Sequence, residues 1–445
     1  MLHTTPGPFR RDQGADMDGH GKSIFSRVGV LWSGGFVLAG CLFLLALTAG
    51  TALAQKAGPM TFGVLLPATG SLAESGKTSR AALDLAQADI NAYLAASGQS
   101  GQATFLFENT GSNPEQALEK LKSLAGRGVR VVIGPFSDDE AEACLEFADK
   151  NNILLISQGS SGPFLSKKGD NLFRLSPSDT YQAEAVTGLM RQEGATAIVP
   201  LWRGDRFGDD MTVHVKARFK QLGGEALPGS RYAADRKDFA PILDDLAKQV
   251  AQAQHSGKSP KVAIYFAGGE EIVPILKAVA KRPELAGLSW YGSSATAMLD
   301  VIAKDPESAA AAMKTRLSSP RYGEGGANVY GQVERRIQDK TDTFPDTQSV
   351  VAYDAAWAAF FTAQWVGGTT DFARFKQGFV TTCERMYGAT GWLALNEHGD
   401  RREDWDFDFW VLKNDGGKYF WEKSARYQFE PGTAKELFIS SGQPK

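Results

Sequence analysis

Ser137, Asp138, Asp139 and Glu140 stand in one run directly after Val131-Val132-Ile133-Gly134-Pro135-Phe136. A hydroxyl followed by acids can cap a helix, face a cationic ligand or move protons, so position has to decide. The apolar run suits a buried parallel strand, Gly134-Pro135 ends it, and Ser137 with the acids opens a helical segment from Ala141 to Lys150. At such a junction unpaired N–H groups and the helix dipole face a crevice. Asp138 and Asp139 therefore read either as cap and first turn, each favoured by ~0.3–1 kcal/mol, or as groups that meet a ligand. Ser160 and Ser161, in Gln158-Gly159-Ser160-Ser161-Gly162 after the next apolar run, are a plain turn or a second contact.

Other chemistry finds little support. The histidines are His3, His20, His214, His255 and His398, and none has the spacing of a zinc pair. The chain has no Gly-x-Ser-x-Gly elbow, no phosphate loop and no Gly-x-Gly-x-x-Gly after a strand, so neither catalysis nor a bound cofactor is expected. Asp404, Asp406 and Asp408 share one strand face, and read as the wet side of an outer strand rather than a metal site. Phe207 follows a strand ending at Leu201, where clefts are lined, and Tyr181 starts a helix beside an expected crossing.

The elements that must position these residues alternate. Met60 to Pro67, Ala103 to Glu108, the Val131 run and Ile153 to Ser157 read as strands. Ser79 to Ala95 and a helix opened by Asn113-Pro114-Glu115 lie between the first three. A second series follows Leu175-Ser176-Pro177-Ser178, with strands at Ala195 to Leu201, Val262 to Phe266 and Leu288 to Gly292. Past Gly391, Asp404 to Lys413 alternates, and Asn414 to Gly417 turns it back. The pattern predicts two doubly wound, Rossmann-like α/β lobes joined by several crossings.

The chain has 445 residues, 43% hydrophobic and 22% charged, which suffices for two cores. Its net charge of −3 argues against nucleic acid. Lys22 and Arg27 precede the apolar stretch Val28 to Ala49, and Ala52-Leu53-Ala54 fits a cleavage site, so residues 1–54 read as an export signal. An uncleaved anchor, or lipidation at Cys41 in Leu38-Ala39-Gly40-Cys41, are the alternatives, and each places the body outside the cytoplasm. Cys144 and Cys383 are then the remaining cysteines, as buried thiols or one disulfide.

Phe62-Gly63-Val64-Leu65-Leu66-Pro67-Ala68-Thr69-Gly70 resembles the first strand and loop of the leucine/isoleucine/valine-binding proteins of bacterial ABC importers. Ile133 to Ser137, Phe173-Arg174-Leu175, Phe207-Gly208 and Ala352-Tyr353-Asp354-Ala355 follow in the family's order. The resemblance implies a type I periplasmic-binding-protein fold whose two lobes, joined by three hinge crossings, close on a small-molecule solute for a membrane ABC permease. It implies a periplasmic monomer and a small polar solute of the amino-acid, amide or related class. A sensing module for a membrane receptor or cell-wall enzyme is the alternative. The implied parts are a signal at 1–54, the first lobe at 60–175 and 317–395, the second at 176–316 and 396–430, and a tail at 431–445. Matched positions make Phe136, Ser137, Asp138, Ser160 and Ser161 the first lobe's contacts, with Ser75 where the family often has an aromatic. Phe207 and Gly269 or Glu270 are the second lobe's contacts. Two departures stand out: Asp138 replaces a small hydroxyl residue, and Ser294 replaces the acid that pairs with a ligand ammonium. Both make an α-amino acid a poor fit and favour a neutral or cationic polar solute.

Overall fold

The computed structural model describes residues 60–255, 260–323, 328–402, 406–428 and 436–439; the expected signal at 1–54 lies outside them, and of the expected tail at 431–445 residues 436–439 are described, as a strand of the second sheet. Lobe 1 is a parallel five-stranded sheet. In sequence its strands are β1 (Met60–Leu66), β2 (Ala103–Asn109), β3 (Val131–Ile133), β4 (Leu154–Ser157) and β5 (Leu172–Arg174), in the spatial order β2-β1-β3-β4-β5. Alternate residues feed two cores: Phe62, Val64, Ile133 and Ile156 enter one, and Leu65, Val132 and Leu155 the other. That two-faced burial is why the strands read as continuous apolar runs.

The helices between them are α1 (Ala73–Ala96), α2 (Pro114–Gly126) and α3 (Asp138–Lys150). Asn113 caps α2, with Pro114 at the position a helix tolerates. Ser137 caps α3 in a reciprocal box, its hydroxyl accepting from the Glu140 N–H at 3.4 Å while Glu140 Oε2 accepts from the Ser137 N–H at 3.2 Å.

The chain crosses to lobe 2 at α4 (Asp179–Gln192). There follow β6 (Ala197–Arg203), α5 (Arg206–Gln221), β7 (Glu225–Ala226), β8 (Ser230–Tyr232), α6 (Ala240–Gln254), β9 (Val262–Ala267), α7 (Ile272–Ala280), β10 (Ser289–Gly292) and β11 (Ser318–Tyr322). It returns through α8 (Asn328–Thr341), α9 (Thr347–Val366) and α10 (Phe372–Arg385), then a small hairpin, β12 (Tyr387–Gly388) with β13 (Gly391–Trp392). It crosses last to β14 (Phe407–Asp415), β15 (Lys418–Gln428) and β16 (Glu436–Ile439). These form a sheet ordered β16-β15-β14-β11-β10-β9-β6-β7, with β8 also on β6, parallel from β6 to β11 and antiparallel beyond. The expected two-lobed α/β fold with three crossings is what forms.

Two expected boundaries move. Ser318–Tyr322, expected to open the second passage through lobe 1, is a strand of the lobe 2 sheet. Residues 399–401 stay with lobe 1: Arg174 N donates to the Gly399 carbonyl and Arg401 N to the Arg174 carbonyl, both at 2.9 Å. Arg174, 2% exposed, donates there to Asp400 at 2.7 Å, and Asp400 also accepts from the Ser166 hydroxyl at 2.6 Å. Asp408 is likewise not on a wet face. It is buried and ion-paired with Lys423 at 2.6 Å, while Asp406 pairs with Arg426 at 2.8 Å; Asp404 lies outside the described residues. Cys144 and Cys383 are free, buried thiols in separate cores.

Candidate functional site

The loops after β3 and β4 meet at the crevice and are stitched together. Gly134 has a φ of +104°, and a Cβ there would lie 2.3 Å from the Leu65 carbonyl oxygen, so only glycine fits. A Cβ on Gly159 would lie 2.4 Å from the Phe136 carbonyl oxygen. The Ser157 hydroxyl donates to the Pro135 carbonyl at 2.7 Å and accepts from Ser160 N at 3.0 Å. Asp138 completes the joint. Its Oδ1 accepts from the Ser160 hydroxyl at 2.7 Å, Ser161 N at 2.9 Å and Gly162 N at 3.0 Å, and the residue is 6% exposed.

Opposite this joint stand groups that the sequence reading passed over. Asp179, the first residue of α4, is 1% exposed and donates its N–H to the Ser161 carbonyl at 3.1 Å. Its Oδ1 accepts a long bond from Gln182 at 3.4 Å, whereas its Oδ2 is buried without a partner. The Tyr265 hydroxyl, from β9, is also buried and unpartnered. Tyr322, at the end of β11, adds a third buried oxygen near Asp179 and Asp138. Burial, and then the negative charge of Asp138, holds the Asp179 carboxyl well above the usual carboxylate range, with Arg174 and the Ser161 hydroxyl pulling the other way. Burial and the Asp179 charge push the Tyr265 phenol up.

At the rim, the start of α5 faces α3. The Arg206 guanidinium lies 3.6 Å from the Phe164 ring centroid and 3.9 Å from Glu142, both in lobe 1, and 3.7 Å from Asp210 in its own helix. Burial, then Asp205 and Asp138, raise the Asp139 carboxyl, and Arg206 lowers it. Asp210 is raised by burial and by Asp138, against Arg206 and His214. Acids thus dominate the inter-lobe seam.

The expected contacts are placed unevenly. Asp138, Ser160 and Ser161 come together, but as the joint between two loops. Ser137 is spent on its cap, and Phe136 is buried in the core. Tyr181 and Phe207 are half-buried in the first turns of α4 and α5 and pack on the shared core. Ser75 is half-buried in the first turn of α1. In the loop after β9, Glu270 is exposed and the engaged acid is its neighbour. Glu271 accepts from Tyr232 at 2.8 Å, Gly269 N at 3.0 Å and Arg203 at 3.2 Å, a brace within lobe 2. Ser294 is held by Gln182, donating its N–H to Gln182 Oε1 at 2.8 Å and accepting from Gln182 Nε2 at 3.1 Å. Asp179, Gln182, Tyr265 and Tyr322 had no separate signal: the acid follows Ser178, the N-cap of α4, and Tyr265 sits inside an apolar run. Among the described residues, no cluster of His, Cys, Asp and Glu is arranged to hold a metal ion. A groove of about 460 Å³ lies away from the seam, on the outer face of lobe 1 between Phe361, Trp365, Arg385 and Tyr387.

A family model described as periplasmic binding protein matches residues 59–403. The chain belongs to this family. It is 24% identical over 407 residues to an uncharacterised protein of Methanocaldococcus jannaschii, covering 88% of this chain and 95% of that one. It is 26% identical over 210 residues to Leu/Ile/Val-binding protein homolog 2 of Brucella abortus, covering 46% of this chain and 54% of that protein. The fold is also that of the leucine-binding protein LivK of Thermotoga maritima, with TM-score 0.65, 18% identity, and coverage of 86% and 99% of the two chains. A Rhodopseudomonas palustris solute-binding protein solved with p-hydroxybenzoic acid gives TM-score 0.68 and 16% identity, over 84% and 98% of the chains.

Proposed function

We propose that the chain is the extracytoplasmic solute-binding component of an ABC importer, exported by residues 1–54. As a monomer, it captures a small polar solute between its lobes and presents it to a membrane permease. The observation that carries this reading is the seam itself: strand-end loops of one lobe face a buried cluster of the other, in which Asp179 Oδ2 and the Tyr265 hydroxyl want a partner. A solute touching both lobes stabilises the closed form and shifts the population toward it. Capture at micromolar concentration needs only about 8 kcal/mol, which a few charge-assisted hydrogen bonds and an excluded apolar surface supply. The groups that would make these contacts on this reading are Asp179, Tyr265, Tyr322 and Gln182, with Phe207 and Tyr181 at the rim. The test is a thermal-shift screen of amines, amides, amino acids and aromatic acids, with X-ray scattering on the hits. A solute that raises the melting temperature and compacts the chain supports the reading, and a screen in which none does either overturns it.

A further inference from the structure

The seam's chemistry also selects the class of solute, an inference that rests on the solute-binding reading. Three donors converge after β4: the Ser160 hydroxyl, Ser161 N and Gly162 N. Such a convergence of a hydroxyl and consecutive backbone N–H groups binds a carboxylate oxygen. In this chain the point is already occupied, since Asp138 Oδ1 takes all three at 2.7–3.0 Å. An incoming carboxylate would find its donors used and a like charge beside it, and in a partly buried site that repulsion disfavours it.

What is left unpaired beneath the seam is of the opposite character. Asp179 Oδ2 and the Tyr265 hydroxyl are each buried without a hydrogen-bond partner, and the Asp179 charge acts on the Tyr265 phenol; the two residues are 1% and 0% exposed. Native structures leave few such groups without partners. Asp139, Asp205 and Asp210 add negative potential at the mouth, where Arg206 is the facing cation. Among the described residues these acids are not arranged to hold a metal ion, so the complement is a nitrogen cation carried by an organic molecule.

We propose that the solute is an organic cation with a hydrogen-bond-donating nitrogen, an amine or guanidine, and without a carboxylate. Its nitrogen donates to Asp179 Oδ2 and to the Tyr265 hydroxyl oxygen, while Asp138 keeps the donors after β4 closed to anions. The test uses pairs that differ only in the carboxylate: agmatine and arginine, phenethylamine and phenylalanine, isopentylamine and leucine. Calorimetry on the full exported body should show at least one decarboxylated member binding roughly tenfold or more tighter than its amino-acid partner, the scale of a lost charge-assisted bond. Asp179→Asn should abolish that binding while thermal unfolding stays cooperative. Asp138→Ser, which frees the donors, should raise affinity for the amino-acid partner. Equal or tighter binding of the carboxylate member, or unchanged amine binding in Asp179→Asn, overturns the inference. If no amine binds but a neutral or anionic solute does and closes the lobes, the class is wrong and the receptor reading stands. If no solute of any class binds, both fall.

Discussion

At the scale of single residues, the two carboxylates of the seam have opposite environments. Asp138 accepts from three donors, and Asp179 has a bare oxygen in a buried site. Replacing Asp138 by alanine leaves those donors unpaired and should cost about 3 kcal/mol in urea unfolding, with partial recovery in millimolar acetate or formate, which refill the site. Asp179 behaves differently with pH. Its folded pKa is raised by burial and by Asp138 against Arg174, with Asp210, Tyr265 and Tyr322 also close by. A raised folded pKa means that the native state holds the proton more tightly than the unfolded chain does. That stability is complete below the ordinary carboxylate range and is lost as pH rises toward the folded value. Asp179→Asn should therefore be more stable than the parent at neutral pH, an advantage that disappears at acid pH. A cationic solute competes with the same proton, so its affinity should weaken as pH falls, measurable by calorimetry across pH 5 to 8. The sequence made Asp138 legible as a residue of interest, since acids beside a strand end are conspicuous. It gave no direction for the side chain, because capping and ligand contact predict the same residue type there. Asp179 was invisible for a related reason: Ser178-Asp179 is an ordinary helix start, and only the packing of the other lobe buries it.

At the scale of elements, the joint between the loops after β3 and β4 is a close approach of backbone to backbone. Gly159→Ala must push the Phe136 carbonyl away, and should destabilise by at least about 2 kcal/mol, read as a lower urea midpoint, with weaker solute binding because Asp138 moves with its loop. The Arg174–Asp400 pair ties β5 to the segment before the last crossing inside the protein. Asp400→Ala leaves the guanidinium buried and uncompensated, at a cost of about 3–5 kcal/mol, while a surface pair such as Lys150–Glu146 can be removed almost without effect. The strands and helices of lobe 1 were readable from the sequence because each strand is buried on both faces and each connection is short. The residues of β11 are expected in the other lobe because the chain changes character at Leu317-Ser318-Ser319-Pro320. Pro320 is tolerated inside the sheet because the ladder to β10 holds only at Tyr291–Ser318, so its missing N–H is not needed there.

At the scale of the molecule, the lobes share one continuous apolar core, and at the rim Arg206 of α5 meets Phe164 and Glu142, so the balance between open and closed forms should be adjustable there. Arg206→Ala removes a cation from the Phe164 face and from Glu142. It should enlarge the solute-free radius of gyration in X-ray scattering and weaken solute binding by roughly three- to tenfold. The thiols report the integrity of lobe 1 in the same experiments. Burial pushes Cys144 up to about 12 and Cys383 higher still, so neither should react with a maleimide until the body unfolds. Under the proposed role, the occupied site beneath Asp138 also changes how such a receptor would meet a crowded compartment. A tethered carboxylate is a competitor that never diffuses away, present at an effective concentration above the millimolar range. Free carboxylates, however abundant outside the cell, would have to outcompete it. The receptor should then stay vacant in amino-acid-rich surroundings, and respond to a scarcer solute without being titrated by the common ones.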